Sequence, residues 1–499
     1  MPLLTQVPLS DWLIGIVFLL GMIVLLALAE RFYRMYPQSA EALRKFVHIV
    51  TGVAVLPTPV LFSSWLPIFL IAVLFAAANL WSIRRGKLKS IHEIARTSLG
   101  TFFYPVSFAT LLLLFWHRQY VIFAVSFALM AFGDAIAGIV ASNVAQRKIL
   151  PLPWDQKSVQ GSAAMFVSST LIVGAGLVIF HQSHNLSWTM SAVVAIAIGM
   201  LATAAEALSY RGSDNLSVPL LAALGLYVVL HPQMQQQFLV GEALALAITV
   251  AAFWAKTLDL SGALAAFVIG TVVFGIGEWL FAIPLLVFFI GSSILSHLPQ
   301  RSGKKAKEII AKGGQRDAGQ VLANGLLPAL VAIASLWLQP KMAFLLYLGG
   351  IAAATADTWA TETGLMFGSQ PRSIATGKIV PSGTSGGVTL AGVLGASLGA
   401  ALVTLAGWWS YNFFEKFEIG SLRFIAVAVA GILANFIDSL LGATLQRRNR
   451  CVVCGKITER SAHCKQKTTY FSGWRWLDND MVNVACGLSG IVLTAVLLL

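Results

Sequence analysis

The sequence has little charge and little cysteine for its length. Only 11% of its 499 residues are Asp, Glu, Lys or Arg, whereas 57% are hydrophobic, and the mean hydropathy is +0.79. A soluble domain of this size could not bury so much apolar surface, which excludes soluble classes. Four cysteines in a chain of this length do not indicate a disulfide framework. The first apolar stretch has no small-residue cleavage site before Glu30, so we expect it to remain as an anchor.

Apolar stretches recur along the whole chain and predict an all-α, polytopic transmembrane helical bundle. About 20 helical residues cross the roughly 30 Å hydrocarbon core of a bilayer. On this basis we predict about sixteen spans in two modules of about eight, 1–235 and 236–499. The polar, uncharged segment His231–Phe238 is the predicted linker, and Leu260–Ile276 and Trp279–Leu295 are two of the predicted spans.

The basic residues follow alternate loops. If the loop after the first span is cytoplasmic, 30 of the 34 Lys and Arg residues lie on that side. The remaining four are Arg118, Lys341, Lys416 and Arg423. Lys and Arg favour the cytoplasmic side, so we expect a cell-membrane protein with both termini on the opposite side and the polar ends of both modules facing the cytoplasm. The same asymmetry explains the net charge of +13 without a nucleic-acid partner.

The first block of polar residues begins at the end of the fifth predicted span. Asp134 and Gly138 are four residues apart and share one helix face, where a carboxylate could hold a divalent cation. The alternative is an ion pair between Asp134 and a loop arginine. After the next short loop, a cation, hydroxyls and unpaired backbone N–H groups at a helix start form a candidate phosphate cradle, made of Lys157, Ser158, Gly161 and Ser162. Ordinary N-capping by Ser158 is the alternative.

Further polar residues reach the same predicted face of the membrane. They are Arg44, Lys45, His48, Glu206, Asp214 and Asn215. Taken alone, His48 is more typical of a packed histidine, and Arg44 and Lys45 of topogenic charges. Burying a charged group in a membrane costs free energy, and such groups usually mark a functional site. Because these six residues reach the same face as the first block, we interpret them as part of one site.

Four segments of this first module resemble the phytol kinase and dolichol kinase family over roughly residues 10–230. They are Arg44-Lys-Phe-Val-His48, Gly133-Asp-Ala-Ile-Ala-Gly138, Lys157-Ser-Val-Gln-Gly-Ser-Ala-Ala-Met-Phe166 and Asp214-Asn-Leu-Ser-Val-Pro219. The resemblance implies CTP-dependent phosphorylation of a long isoprenoid alcohol with Mg²⁺. We expect Asp134 and Asp214 to bind Mg²⁺, Lys157 and the Ser158–Ser162 turn to bind nucleotide phosphates, and His48 or Glu206 to assist deprotonation. Ala141-Ser142 departs from the family pattern, which leaves the choice of nucleotide open.

The second module repeats this arrangement of acids, cations and glycines. Asp134 precedes Lys157 by 23 residues, and Asp357 precedes Lys378 by 21, which suggests a duplication. Its candidate site residues are Lys304, Arg316, Asp317, Asp357, Glu362, Lys378, Gly383, Thr384, Gly386, Asn435, Asp438, Asn479 and Asn483. Topology alone is an alternative explanation for Lys304 and its neighbouring lysines.

Segments of the second module resemble the phytyl-phosphate kinase family over about residues 240–499. They include Gly-Gly-Gln-Arg-Asp317, Ala-Asp357-Thr-Trp-Ala-Thr-Glu362, Pro-Ser-Gly-Thr-Ser-Gly-Gly387 and Asn479-Asp-Met-Val-Asn483. The resemblance implies conversion of a prenyl monophosphate to the diphosphate. We expect Asp357, Glu362 and Asp438 around Mg²⁺, and Lys304, Arg316 and Lys378 on phosphates.

The cysteines allow three readings. Cys451, Cys454 and Cys464, with His463, are compatible with a Zn²⁺ site, although ligation by two adjacent residues is awkward. Reduced free thiols and a redox role are the alternatives.

Two other functions remain open at this stage. A secondary transporter would fit the many spans, the suspected duplication and the intramembrane polar residues. A CTP-dependent kinase or cytidylyltransferase acting on another lipid would differ from the predicted enzyme only in its product.

Overall fold

A computed structural model describes residues 7–86, 98–116, 119–299, 314–367, 370–414 and 419–499. The predicted residue Lys304 lies outside these ranges. The chain forms two compact units, Met1–Leu239 and Val240–Leu499. The helices confirm the predicted all-α, polytopic class.

The first unit is built from nine helices in the described part of the chain. They are α1 (Leu9–Met35), α2 (Ala40–Val55), the short α3 (Thr58–Leu61), α4 (Trp65–Arg85), α5 (Gly100–Phe115), α6 (Tyr120–Asn143), α7 (Val159–Ile179), α8 (Trp188–Ala207) and α9 (Asp214–Val229). Helices α6, α7, α8 and α9 pack as successive neighbours, and α9 also packs against α5. By contrast, α1 exposes large apolar side chains along most of its length, as expected for a helix surrounded by lipid.

The predicted linker His231–Phe238 is not a linker. Its residues from Pro232 onward form the first turns of a continuous helix, α10 (Pro232–Trp254). Proline is well tolerated in the first helical turn because its missing N–H has no partner there in any case. The backbone N–H groups of Met234 and Gln235 donate to the carbonyl of His231, at 3.0 and 3.1 Å. The boundary between the units, after Leu239, therefore lies within a helix.

The second unit continues with helices α11 (Leu260–His297), α12 (Ala318–Ala334), α13 (Pro340–Met366), α14 (Leu390–Phe414), α15 (Ser421–Thr444) and α16 (Asn479–Leu498). Short strands lie in its loops. They are β1 (Arg372–Ser373), β2 (Gly387–Val388), β3 (Arg448–Arg450), β4 (Ile457–Thr458), β5 (Ala462–His463), β6 (Gln466–Lys467) and β7 (Thr469–Ser472). Strands β4, β3 and β7 form one antiparallel sheet, while β1–β2 and β5–β6 are separate two-stranded pairs.

Helix α13 is the central helix of the second unit and packs against α11, α12, α14, α15 and α16. Small side chains allow this close packing. A Cβ atom added to Gly349 would lie 2.2 Å from Thr494 Oγ1 of α16, and one added to Gly431 of α15 would lie 2.9 Å from Ala352. Close backbone approach at small residues is typical of helices that associate in lipid.

Eleven helices of the described chain are long and apolar enough to cross a bilayer, fewer than the sixteen predicted. The predicted spans Leu260–Ile276 and Trp279–Leu295 correspond to two helical halves of α11, which meet at a kink where Glu278 has non-helical backbone angles (φ 54°, ψ −160°). Three predicted spans correspond to helices of only 16 or 17 residues, α5, α9 and α12. Another, α2, has 16 residues and includes Glu41, Arg44 and Lys45. The apolar runs were recognised correctly, but four of them form helices at or below the lower end of the roughly 17–25 residues typical of a span.

Candidate active sites

All twelve site residues predicted in the first unit line one cavity of about 370 Å³. They come from five helices and one loop, and are Arg44, Lys45, His48, Asp134, Gly138, Lys157, Ser158, Gly161, Ser162, Glu206, Asp214 and Asn215. Glu41 and Arg147 also line it, so four cationic side chains and four carboxylates face the same space.

A π-helical segment in α6 places Asp134. The segment runs from Leu129 to Asp134, and π turns often occur at functional sites. Within it, the carbonyl of Met130 accepts a hydrogen bond from His48 Nε2 at 3.2 Å. A ring nitrogen bonded to a carbonyl carries the proton, which leaves Nδ1 of His48 as the nitrogen able to accept another. The imidazole also packs edge-on against Tyr104, with ring centroids 4.6 Å apart.

Lys157 joins two acids that are distant in sequence. Its ammonium group donates to Glu206 Oε1 in a short contact and to Asp214 Oδ2 at 3.3 Å. All three side chains are about nine-tenths buried. Burial by itself lowers the pKa of Lys157. The neighbouring carboxylates of Asp214 and Glu206 raise it by more than burial lowers it, so its pKa lies above the usual value. The lysine therefore remains charged in the lining of the cavity.

The loop before α9 is fixed by close backbone contacts. Gly212 has φ +86°, and a Cβ there would lie 2.6 Å from the backbone nitrogen of Gly100. Asp155 accepts a hydrogen bond from the backbone N–H of Arg211 at 3.2 Å. Asn215 Nδ2 donates to the carbonyl of Gly100 at 3.0 Å. These contacts hold Asp214 and Asn215 at the cavity.

The start of α7 differs from the predicted phosphate cradle. Ser158 is its N-cap, and the Gly161 N–H donates to Ser158 Oγ at 3.1 Å. The Val159 N–H donates to the carbonyl of Lys148, and the Ser162 N–H donates to the carbonyl of Ser158. The prediction that these backbone N–H groups are unpaired was therefore wrong, because local capping uses them. The hydroxyl of Ser162 lines the cavity and has no hydrogen-bond partner in the described chain.

Four buried polar atoms around this cavity have no hydrogen-bond partner in the described chain. They are Arg44 Nε, Ser162 Oγ, Glu206 Oε2 and Asn215 Oδ1. Buried polar atoms without partners are rare in folded proteins and each costs free energy. The residues that carry these four atoms line the same cavity, so a polar ligand bound there could satisfy them.

An apolar groove adjoins the polar cavity. Arg44, His48 and Asn215 line both. The rest of the groove is formed by apolar residues of α1, α2, α4 and α5, including Phe18, Leu25, Ala72, Phe75 and Phe108. A ligand with a polar head and an apolar tail could occupy both spaces at once.

The second unit contains a comparable polar cavity of about 270 Å³. Ten of the thirteen predicted residues line it, namely Arg316, Asp357, Glu362, Gly383, Thr384, Gly386, Asn435, Asp438, Asn479 and Asn483. Gly386 has φ +75°, and a Cβ there would lie 2.5 Å from the Ser439 carbonyl, so only glycine lets this loop lie on α15.

Two carboxyl groups meet in this second cavity. Asp357 of α13 and Asp438 of α15 are within hydrogen-bonding reach of each other, and Oδ2 of Asp438 is buried without a partner. Glu362, five residues after Asp357 on α13, accepts a hydrogen bond from Ser296 Oγ at 2.7 Å. One or two carboxylates, together with substrate phosphates and water, are the usual ligands of Mg²⁺ in phosphoryl-transfer sites.

Two predicted residues of the second unit lie elsewhere. Asp317 is the N-cap of α12, where it and Gln320 form a reciprocal capping box. Lys378 is exposed in the loop between β1 and β2 and does not line the cavity. Sequence reasoning also missed Glu459, which accepts a hydrogen bond from Ser385 and lines the cavity. No local motif marks Glu459, because it lies in the basic loop 74 residues after Ser385.

An apolar groove also adjoins the second cavity. Arg316, Gln320 and Asn324 line both spaces. Apolar side chains of α10, α11 and α12 form the rest, including Ala266, Phe274 and Phe288.

The described fold is that of a helical membrane protein with two polar cavities, each of which adjoins an apolar groove. A family profile described as "Integral membrane protein DUF92" matches residues 243–491. The chain is 35% identical to Protein PGR of Arabidopsis thaliana over 260 residues, 48% of this chain and 89% of that protein. It is 34% identical to a phytol kinase of Synechocystis sp. over 212 residues, 41% of this chain and 85% of that protein.

The chain therefore belongs to the DUF92 integral membrane family, with relatives named phytol kinase and Protein PGR. A further relative, Protein VTE6, chloroplastic, of Arabidopsis thaliana, is 25% identical over 234 residues, 46% of this chain and 61% of that protein. No solved structure matches the chain.

Proposed function

We propose that this protein is a bifunctional membrane prenol kinase. The first unit transfers the γ-phosphoryl group of CTP, or of another nucleoside triphosphate, to an isoprenoid alcohol such as phytol. The second unit extends the prenyl monophosphate to the diphosphate. The observation that carries the proposal is that each unit joins a charged cavity to an apolar groove through an arginine and two other polar residues. Relatives named phytol kinase support the substrate class.

In the first step, the alcohol oxygen attacks the γ-phosphorus while the bond from that phosphorus to the β-phosphate oxygen breaks. The prenyl tail occupies the apolar groove, which brings the hydroxyl to His48, Arg44 and Asn215, where the groove meets the cavity. His48 accepts the alcohol proton at Nδ1, because Nε2 is held by Met130. Glu206 is engaged by Lys157 and does not line the groove, so it is the less suitable base.

Cations supply most of the remaining catalysis. Phosphoryl transfer requires chiefly positioning and neutralisation of phosphate charge. Lys157, Arg44 and Lys45 provide positive charge, and Ser162 provides an unpaired hydroxyl. Asp134, Asp214 and the free oxygen of Glu206 are suitable oxygen ligands for Mg²⁺, which when bound would neutralise the nucleotide phosphates.

The second step uses the cavity of the second unit. The attacking group is an oxygen of the prenyl monophosphate, and the bonds that form and break are otherwise the same. Asp357, Asp438 and Glu362 are the Mg²⁺ ligands that fit, and Arg316 lies where the apolar groove meets the cavity, in position to bind the substrate phosphate. We further propose a cell-membrane location with both cavities facing the cytoplasm.

The test uses purified full-length protein in detergent with γ-labelled CTP and either phytol or phytyl monophosphate. Asp134→Asn should lose monophosphate formation but still extend added monophosphate, whereas Asp357→Asn should stall at the monophosphate. Asp259→Asn is the control, because Asp259 caps α11 outside both cavities and asparagine caps equally well. It should leave both steps unchanged.

Identical defects in Asp134→Asn and Asp357→Asn would contradict two separate sites. A protein that forms no labelled lipid with any nucleoside triphosphate, but accumulates a solute in proteoliposomes without nucleotide, would be a transporter instead.

A further inference from the structure

The loop between α15 and α16 gathers three cysteines and a histidine that neither phosphoryl transfer uses. Cys451, Cys454, His463 and Cys464 each offer one ligand atom, and these four atoms lie within 4.8 Å of one another. His463 Nδ1 is 3.5 Å from Cys454 Sγ and 3.2 Å from Cys464 Sγ. In a tetrahedral Zn²⁺ site with bonds of about 2.0 to 2.3 Å, neighbouring ligand atoms are about 3.5 to 3.8 Å apart. The cluster is thus close to the size of a zinc site.

The backbone around the cluster is shaped to direct these side chains inward. Strands β5 and β6 are joined by the two-residue turn Cys464–Lys465, in which φ is +52° and +61°. Such turns favour Asn-Gly, and neither residue here is glycine or asparagine. A left-handed conformation at a non-glycine residue costs about 1–2 kcal/mol. The turn places Cys464 beside the imidazole of the preceding residue, so ligation by these adjacent residues is geometrically feasible.

The first two cysteines lie on a tight turn of their own. Gly455, with φ +71°, closes the Cys451–Cys454 segment, and its N–H donates to the Cys451 carbonyl at 3.0 Å. The N–H of Val453 points to Cys451 Sγ at 3.4 Å. Hydrogen bonds to metal-ligating groups orient those groups and tune the bound metal.

The cluster is connected to the second cavity through Glu459. Asn449 of β3 donates from Nδ2 to the carbonyls of Glu459 and Arg460, at 3.4 and 3.1 Å. Glu459 lies between β4 and β5, a few residues from His463, and its carboxylate accepts a hydrogen bond from Ser385 in the cavity. Strands of two to four residues bury little apolar surface, so this segment lacks the core that would hold Glu459 in place.

We propose that Cys451, Cys454, His463 and Cys464 bind one Zn²⁺ ion, and that this ion fixes the β3–β7 segment so that Glu459 reaches the second cavity. The donor set of three sulfurs and one imidazole in a compact cluster is typical of a structural zinc site. Glu459 is a positioning residue for the loop that carries Ser385. Its role rests on the proposed second phosphorylation, whereas the zinc content does not.

The first test measures metal in the purified full-length protein by mass spectrometry. We expect about one Zn²⁺ per chain, lost in Cys454→Ser and in Cys464→Ser. Cys486→Ser is the matched control, because Cys486 is buried on α16 away from the cluster and contacts the carbonyls of Ala353 and Ala434. It should retain the metal. A Co²⁺-substituted protein should show the visible bands of tetrahedral thiolate coordination.

The second test asks whether the metal is needed to hold Glu459 at the second cavity. Zinc loss in Cys454→Ser should reduce extension of phytyl monophosphate and expose residues 448–473 to protease, while phytol phosphorylation by the same sample stays unchanged. Glu459→Gln should reduce extension but keep the zinc. If wild type lacks zinc, if Cys454→Ser retains it, or if Cys451 and Cys454 form a disulfide in the native protein, the metal site is wrong. If zinc is lost without any change in extension or proteolysis, the positioning role is wrong.

Discussion

The two units combine the same parts but differ in their balance of charge. Each has a polar cavity that shares three polar residues with an apolar groove, and one of the three is an arginine, Arg44 or Arg316. In the first cavity four cations face four carboxylates. Among the described residues that line the second, Arg316 is the only cation beside Asp357, Glu362, Asp438 and Glu459.

The two cavities differ in what neutralises the negative charge of their carboxylates. In the first unit Lys157 already compensates Glu206 and Asp214 within the protein. In the second, two carboxyl groups meet without a lysine between them in the described cavity, although its proposed substrate is itself an anion. The second reaction should therefore depend more strongly on divalent cations than the first.

The largest expected effect is that of Lys157→Met. It removes the buried cation from the first cavity and should lower the rate of monophosphate formation on the order of 10²–10³-fold, as when one preorganised charge-stabilising group is lost. Two buried carboxylates lose their partner, so the first unit should also be destabilised by about 3–5 kcal/mol. Thermal unfolding and both product assays check this, with unchanged extension of added monophosphate as the internal control. Full activity of the variant would remove Lys157 from the mechanism.

A second prediction concerns Mg²⁺. In wild type, the extension step should reach its half-maximal rate at a lower Mg²⁺ concentration than the first step does, because carboxylates without a neighbouring lysine bind the cation more tightly. Asp438→Asn should raise that concentration at least about 10-fold, the range found even for residues that only support metal ligands. Rates measured over a Mg²⁺ titration provide the test. Equal Mg²⁺ dependence of the two steps in wild type would show that charge balance does not distinguish the cavities.

A third prediction uses matched alanines in the two grooves. Ala72→Phe narrows the first groove and Ala266→Phe the second. Overpacking costs about 1–3 kcal/mol, so each should raise KM for a 20-carbon substrate about 10-fold, the first only for the alcohol and the second only for the monophosphate. A five-carbon substrate that does not fill the groove should be unaffected. Equal effects on both chain lengths would place the tail elsewhere.

The smallest expected effect is that of Lys378→Ala. The side chain is exposed and lies outside the cavity lining, so both steps should change less than about twofold, within the ±0.5 kcal/mol typical of surface substitutions. The two product assays measure this directly. A loss greater than tenfold would restore the phosphate-binding role that its sequence pattern predicts.

The sequence was most informative where polarity is costly. Charged residues near apolar stretches are rare and drew attention to the first site, where the six charged residues among the twelve predicted ones all line one cavity. Patterns at helix starts were less reliable, because capping and ligand binding use the same residue types. Ser158 and Asp317 both proved to be caps, and the Gln320 three residues after Asp317 is the signal that could have indicated this.

Other features depend on contacts that sequence spacing does not encode. The π segment that ends at Asp134, the meeting of Asp357 with Asp438, and the contact of Glu459 with Ser385 all arise from tertiary packing. The number of spans was overestimated for a related reason. Apolar runs such as α5 and α9 were read as spans, but as helices they reach only 16 residues.

The π segment of α6 also makes the length of this helix a functional property. A π turn contains one residue more than the α turn it replaces, and each residue of an α-helix advances the chain by about 100°. Gly138 lies next to Lys45, where a Cβ would be 3.4 Å from the ammonium nitrogen, only because that extra residue precedes it. Deleting a single residue between Leu129 and Asp134 would leave a more regular helix. The deletion would also rotate the side chains that follow Asp134, including those at the cavity, about the helix axis. Insertions and deletions here should therefore be tolerated far less than substitutions.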